Sequence, residues 1–212
     1  MKNSMILAVV GAAAAVSVAQ GAVVTANYTG DYGRQVQTSM GNYQTVKFTW
    51  TRVDAPGPGV DTTIASTFNT YCVEINQHVS GGNDYTYNVV SAAAHGFSPV
   101  QEALLGRLWW SYFAQINTAV ESSAFQVAVW EIALDSGLDF AGGGLTINAP
   151  ADTIALASSW LSAITSATYA GAAESIVVLE NGSAQDQITV VPAPGVLALA
   201  GLGALAAGRR RR

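Results

Sequence analysis

The chain has 212 residues, half of them hydrophobic, and a formal net charge of −5 at neutral pH. Five of its nine basic residues lie at the two ends, so residues 22–190 carry four basic residues against all 14 acidic ones, a formal charge of −10. This charge argues against binding to nucleic acid or to an anionic membrane surface. The length of that segment fits one domain or two small subdomains.

The first 21 residues have the form of a secretory signal peptide. Lys2 supplies the positive start, Met5 to Val18 is an uncharged run, and small residues suited to cleavage follow at Ala19 to Ala22. An N-terminal membrane anchor is the alternative interpretation. Because the run is short and ends in small residues, we expect cleavage and export.

Residues 42–53 alternate between apolar and polar side chains. Val46, Phe48 and Trp50 fall on one face of a strand, and the residues between them fall on the other. The alternation predicts a single strand over this segment.

Two further strands are predicted at residues 66–75 and 85–90, with a turn between them. In the first of these, Thr70 and Cys72 share one face, whereas Tyr71 and Val73 share the other. Cys72 is therefore expected in the middle of a strand.

The hydrophobic period then changes to that of helices. Ser98 precedes Pro99 and lies three residues before Gln101, which is the pattern of a capped helix start. A second, amphipathic helix is predicted from a cap at Ser122 or Ser123 to a stop at Gly137. A third helix is predicted over residues 151–165.

The chain ends its folded part with two more strands, at residues 174–182 and 186–191, joined by a turn through Asn181 and Gly182. The order of strands, helices and strands predicts an α+β fold: a β-sandwich or barrel with an inserted helical subdomain of about three helices. Three regions result: a signal peptide (1–21), the folded domain (22–190) and a C-terminal tail (191–212).

Gln126 lies among apolar residues of the second predicted helix, whose polar edge is marked only by Glu131 and Asp135. An unpartnered buried amide costs about 1–3 kcal/mol, so this glutamine needs a partner. One explanation is a capping box, in which Ser123 and Gln126 satisfy the first backbone groups of the helix.

Cys72 is the only cysteine of a chain that we expect to be exported. It cannot form a disulfide within the chain. The cysteine is either a small packed hydrophobe or a thiol with another use, including a bridge to a second molecule.

Two short motifs around these residues resemble the bacterial thioester domains found on surface adhesins. Tyr71-Cys72 matches the strand motif of that family, and Phe125-Gln126-x-x-Val129-Trp130 matches its helix motif, 54 positions separating cysteine from glutamine. The resemblance covers roughly residues 63–137.

The resemblance implies a covalent bond between the Cys72 sulfur and the Gln126 side-chain carbonyl, formed with loss of ammonia. An amine or hydroxyl group on a partner surface or matrix polymer then attacks the bond and becomes attached to Gln126. Such a domain acts once, so it is a covalent binder without a cofactor rather than a turnover enzyme. The expected shell that keeps water from the bond consists of Tyr71, Phe125, Val129, Trp130 and Trp109.

Two other functions stay open from the sequence. The chain is alternatively a non-reactive structural protein of the envelope or extracellular matrix, or a cysteine hydrolase that uses Cys72 with His78 or His95. The hydrolase is less favoured, because many such nucleophiles lie at helix N-termini, which lower the thiol pKa. Glu74 and Glu131 are close enough in sequence to assist proton transfer. The two histidines, expected in surface loops, lack tight carboxylate spacing, so no metal site is predicted.

The tail contains an apolar stretch, Val196 to Ala207, followed directly by arginines. Twelve helical residues span about 18 Å, short of a hydrocarbon core of about 30 Å. Proline, a short apolar helix and an arginine cluster resemble the PEP-CTERM sorting signal, although alanine replaces its usual glutamate. The residues that carry this resemblance are Pro192, Ala193, Pro194, Arg209, Arg210, Arg211 and Arg212.

The tail resemblance implies processing by an exosortase-type membrane protease near Pro194. The protein would then be anchored in the membrane only transiently and would reside on the outer surface or in the extracellular matrix of a Gram-negative-type bacterium. A plain tail anchor, with the arginines retained in the cytoplasm, is the alternative.

Overall fold

The fold is described for residues 22–30, 33–135 and 137–191 in a computed structural model. Within these ranges the strands are β1 (Val23–Gly30), β2 (Gly33–Thr38), β3 (Gly41–Val46), β4 (Phe48–Arg52), β5 (Thr67–Cys72), β6 (Asp84–Ser91), β7 (Ile147–Asn148), β8 (Ser175–Glu180) and β9 (Gln187–Val191). The helices are α1 (Ala92–His95), α2 (Pro99–Tyr112), α3 (Ala119–Leu134) and α4 (Ala151–Thr165), with a short 3₁₀ turn at Phe113–Gln115.

Six strands close into an antiparallel barrel in the order β1-β4-β5-β9-β8-β6, with β6 pairing back to β1. The remaining strands form a small sheet in the order β3-β2-β7. The helices lie in the chain between β6 and β8. The predicted α+β class with a barrel is therefore confirmed.

The strand predicted over residues 42–53 is two strands in two different sheets. β3 ends at Val46 and pairs with β2, Lys47 lies between the sheets, and β4 begins at Phe48 inside the barrel. The prediction of one strand was wrong because Val46 and Phe48 are both buried. The alternation of apolar residues thus continues unchanged across the break.

The helix α3 begins earlier than predicted. Thr118 is its N-cap and forms a capping box with Glu121, so the helix starts at Ala119 rather than after Ser122 or Ser123. Gln126 therefore lies about two turns inside the helix. The explanation of Gln126 as part of a capping box with Ser123 is wrong, and Ser123 instead accepts a hydrogen bond from Thr45.

The helix α3 is central rather than amphipathic. Every residue from Ser122 to Ile132 is buried, including Glu131 on the face predicted to be polar. The helix packs against α2 and α4 on the helical side and against β2, β3 and β5 on the other. A helix enclosed on all sides needs no polar stripe, so the burial of Gln126 follows from the position of the whole helix.

The other helix predictions agree with the structure. α2 starts with the predicted capping box between Ser98 and Gln101, with Pro99 in its first turn. α4 has the predicted bounds.

The predicted signal peptide and sorting signal lie outside the described residues, including Pro192–Pro194 and Arg209–Arg212. Among the residues that are described, no helix is both long enough and apolar enough to cross a membrane.

Candidate functional site

Cys72 and Gln126 are in contact where the end of β5 meets α3. Cys72 Sγ lies 3.4 Å from Gln126 Oε1, the Cys72 backbone N–H donates to the same oxygen at 3.1 Å, and Gln126 Nε2 donates to the Cys72 carbonyl at 2.8 Å. Both side chains are buried. The predicted juxtaposition of a strand cysteine and a helix glutamine is therefore present. The prediction that Cys72 lies in the middle of its strand was wrong, because β5 ends at this residue.

The Gln126 amide takes the place of a missing strand at this point of the barrel. Pairing of β4 with β5 ends at Phe48–Thr70, because β4 begins at Phe48. The Val73 N–H donates to the Asp186 carbonyl on the β9 side of β5. The N–H and C=O of Cys72 therefore point to the opposite side of β5, where β4 does not extend past Phe48 to pair with them. Gln126 satisfies both of these groups, and only one orientation of its amide matches donor with acceptor.

The contacts also place the amide for chemistry. The Gln126 amide carbon is about 1.2 Å from Oε1, so it lies within about 4.6 Å of the Cys72 sulfur. If the sulfur attacks that carbon, negative charge develops on Oε1. The Cys72 N–H already donates to this oxygen and would stabilise the charge, as the donors of an oxyanion hole do.

Burial raises the pKa of the Cys72 thiol to about 12. The indole N–H of Trp130 acts in the opposite direction and favours the thiolate. At neutral pH the thiol is therefore protonated and donates to Gln126 Oε1, which removes the free thiolate that a general-purpose nucleophile needs.

An aromatic cluster covers the helical side of the pair. The Tyr71 ring lies 4.5 Å from the Phe125 ring, and Trp109 contacts Phe125 edge-on at 5.5 Å. These rings and Val129 are buried. Tyr71, Phe125 and Trp109 thus form one buried aromatic cluster where β5 meets α3.

Trp130 has a neighbour that the sequence did not identify. Tyr43 on β3 packs edge-on against it, with ring centroids 6.1 Å apart. Among the described residues, the buried Trp130 Nε1 has no hydrogen-bond partner. No sequence signal marks Tyr43, because its contact with α3 depends on the break at Lys47.

A second buried glutamine lies beside Cys72. Gln187 on β9 pairs with Cys72 across the barrel strands and is fully buried. Its amide accepts from Thr70 and donates to Gln185, so it is engaged elsewhere. Gln126 is therefore the glutamine whose side-chain amide is hydrogen-bonded to Cys72.

None of the four predicted proton-transfer candidates is hydrogen-bonded to Cys72 within the described part of the chain, and Glu74 acts on the thiol only through its charge, which raises the thiol pKa. His78 is exposed, and His95 Nδ1 lies within hydrogen-bond distance of Glu180 Oε1, at 2.7 Å. His95 ends α1 and is half-buried, so the prediction of a loop residue was wrong for it. Glu74 accepts from Gln185 through its backbone carbonyl. Across the described ranges, no cluster of three His, Cys, Asp or Glu side chains is arranged to hold a metal ion.

Glu131 is an unusual buried carboxyl group on α3. It is fully buried, and neither of its oxygens has a hydrogen-bond partner among the described residues. Burial, followed by the charge of Asp135, raises its pKa from 4.5 to about 7. Glu131 follows Gln126 by five residues, which places it about 140° away around the helix axis, so it does not face the cysteine.

We expect Glu131 to make the stability of the protein dependent on pH. Because its folded-state pKa is raised, its contribution is fully present below about pH 4.5 and is lost as pH rises through 7. Relative to Glu131→Gln, the wild-type protein should lose about 2–3 kcal/mol of unfolding free energy between pH 4.5 and 8. Urea denaturation of both proteins at the two pH values measures this difference, and an equal offset at both would contradict it.

Comparison of the chain with protein-family models, with curated proteins and with solved structures returns no match in any of the three.

Proposed function

We propose that this protein is a single-use covalent binder that carries an internal thioester between Cys72 and Gln126. The observation that supports this most strongly is the reciprocal contact of the two residues in a buried site, with the sulfur beside a polarised amide. The resemblance of the Tyr71-Cys72 and Phe125-to-Trp130 motifs to thioester domains supports the same function.

The bond would form without an outside reactant. The Cys72 sulfur bonds to the Gln126 amide carbon, the carbon–nitrogen bond breaks, and the thiol proton leaves with the nitrogen as ammonia. An amide is a poor electrophile, but a fixed near-attack geometry contributes up to about 7–11 kcal/mol toward such a step. We infer that α2, α3 and α4 act as an inserted helical part that holds Gln126 against the barrel.

In attachment to a partner, the Cys72 sulfur would be the leaving group rather than the attacking group. An amine or hydroxyl attacks the same carbon, the carbon–sulfur bond breaks, and the proton of the nucleophile passes to the sulfur. Because burial raises the pKa of the Cys72 thiol, the sulfur accepts this proton readily at neutral pH. The product is an amide or ester that joins Gln126 to the partner.

The expected setting of this reaction is outside the cell. The signal-peptide and sorting-signal resemblances favour export, transient anchoring and processing by an exosortase-type protease. The partner would be a molecule of another surface or of the matrix polymer. The negative charge of residues 22–190 gives no support to a nucleic acid partner.

A non-reactive structural protein is the second candidate function. One observation favours it: the Gln126 amide satisfies the backbone groups of Cys72 that β4 leaves unpaired, which explains its burial without a covalent bond. A hydrolase has less support, because neither His78 nor His95 is a hydrogen-bond partner of Cys72 within the described part of the chain.

Incubation with matrix polymer from the producing cells tests the proposed function. We expect the wild-type protein to form a higher-mass species that survives heat and detergent, whereas Cys72→Ala forms none. Denaturing electrophoresis measures this directly. If both proteins form the species equally, or neither does, covalent attachment through Cys72 is not the function.

A further inference from the structure

A pocket of about 250 Å³ lies against the outer side of Trp130. Trp130 is one helical turn from Gln126, so both side chains project from the same side of α3. The pocket is therefore lined by a residue from the side of α3 that carries Gln126.

The lining of the pocket combines aromatic rings with hydrogen-bonding side chains. Tyr28, Tyr43, Phe48 and Trp130 supply the rings. Such rings offer flat apolar surfaces, and Tyr and Trp add a polar edge. Phe48 and Trp130 are buried, so the half-buried Tyr28 and Tyr43 present the ring surface that a ligand can contact. This surface suits a ligand that presents an apolar carbon face between polar substituents.

The polar groups of the pocket are Asn42, Gln44, His78 and Gln185. The side chains of Asn42, Gln44 and His78 make no hydrogen bonds to other described residues, so they are available to a ligand. Amides and imidazole both donate and accept, which matches hydroxyl groups that do the same.

No Asp, Glu, Lys or Arg side chain is among the described residues that line this pocket. A lysine ammonium that entered it would lose hydration without meeting a carboxylate. A different cavity is lined by the acidic residues Glu74 and Asp186, and Trp130 is not part of it. The charge pattern thus favours a neutral ligand at Trp130.

We propose that the pocket against Trp130 binds a neutral polyhydroxylated chain of the saccharide type, and that one of its hydroxyl groups is the nucleophile that opens the thioester. This rests on the proposed function. The hydroxyl oxygen bonds to the Gln126 carbonyl carbon, the carbon–sulfur bond breaks, and the hydroxyl proton passes to the Cys72 sulfur. The product is an ester.

Maltohexaose and sorbitol serve as neutral polyol probes, and methylamine serves as a nucleophile too small to need the pocket. Intact mass follows each adduct, and hydroxylamine distinguishes an ester, which it cleaves, from an amide. We expect the wild-type protein to form hydroxylamine-sensitive adducts with the polyols. The double variant Asn42→Ala/Gln44→Ala should react with maltohexaose about tenfold more slowly, which corresponds to the loss of about two neutral hydrogen bonds.

Gln35→Ala is the matched control, because Gln35 is exposed, lies directly opposite Gln44 on β2 and does not line the pocket. It should react as the wild type does, and methylamine should react equally with all three proteins. If methylamine reacts and the polyols do not, or if the double variant matches Gln35→Ala, the saccharide proposal is wrong and the thioester stands. If methylamine does not react either, the proposed function fails, and the saccharide proposal fails with it.

Discussion

Methylamine will become attached to Gln126 in the wild-type protein and to no residue in the Cys72→Ala variant. An ordinary glutamine amide does not react with a dilute amine at neutral pH, but an acyl group bonded to sulfur does. Attachment also releases the Cys72 thiol. Because that thiol is buried and its pKa is raised to about 12, it should be titrated after unfolding. Peptide mapping locates the added mass, and thiol titration counts the released sulfur.

Three variants sharpen this experiment. Gln126→Ala should lose labelling completely, and Cys72→Ala/Gln126→Ala should match each single variant, since all three lack the same bond. Gln187→Ala removes the other buried glutamine beside Cys72 and should keep the labelling. Labelling that persists in Cys72→Ala, or that disappears in Gln187→Ala rather than in Gln126→Ala, would contradict the assignment.

Replacement of Trp130 by alanine will weaken both the fold and the bond. Trp130 is 1% exposed and lines the pocket described above. Removal of a buried tryptophan side chain costs about 3–5 kcal/mol of unfolding free energy. It also opens a path for water, so the thioester should hydrolyse faster. Urea denaturation measures the first effect, and intact mass over time at pH 8 measures the second.

Trp110→Ala is the matched control for this variant, because Trp110 is 54% exposed on α2. It should cost about 0.5 kcal/mol or less and leave the bond lifetime unchanged. Trp130→Phe keeps a ring in the site without its N–H, so it remains useful if the alanine variant does not fold. A lifetime that is the same in wild type, Trp130→Phe and Trp130→Ala would show that this side chain does not protect the bond.

The contact of Cys72 with Gln126 could be predicted from sequence, but its structural cause could not. The motifs around both residues indicated the pair. The reason that Gln126 fits there is the end of β4 at Phe48, and that end is invisible in the sequence because burial alternates unchanged from Val46 to Phe48. When two successive strands each bury one face, apolar side chains recur at every second residue through both strands, so the sequence pattern does not show where the sheet changes.

The start of α3 was mispredicted because two capping patterns compete within nine residues, 118–126. Thr118 with Glu121 and Ser123 with Gln126 both have the form of a capping box, and the first is the one used. The box at Thr118 agrees with the burial of α3, which is enclosed by elements on both sides. A start at Ala119 places the buried residues from Ser122 onward inside the helix, where their backbone groups are hydrogen-bonded. Tyr43 and Gln187 were missed for a related reason, because their contacts depend on strand pairings far apart in sequence.

The intact mass of the freshly purified protein without its signal peptide tests the central claim most directly. In neutral buffer free of amines, the thioester predicts a mass lower than that of the sequence by one ammonia, with the deficit absent in Cys72→Ala and in Gln126→Ala. Peptide mapping of the same sample adds a safeguard, because a hydrolysed thioester leaves glutamate at position 126. Full sequence mass with an intact glutamine at position 126 would contradict the account.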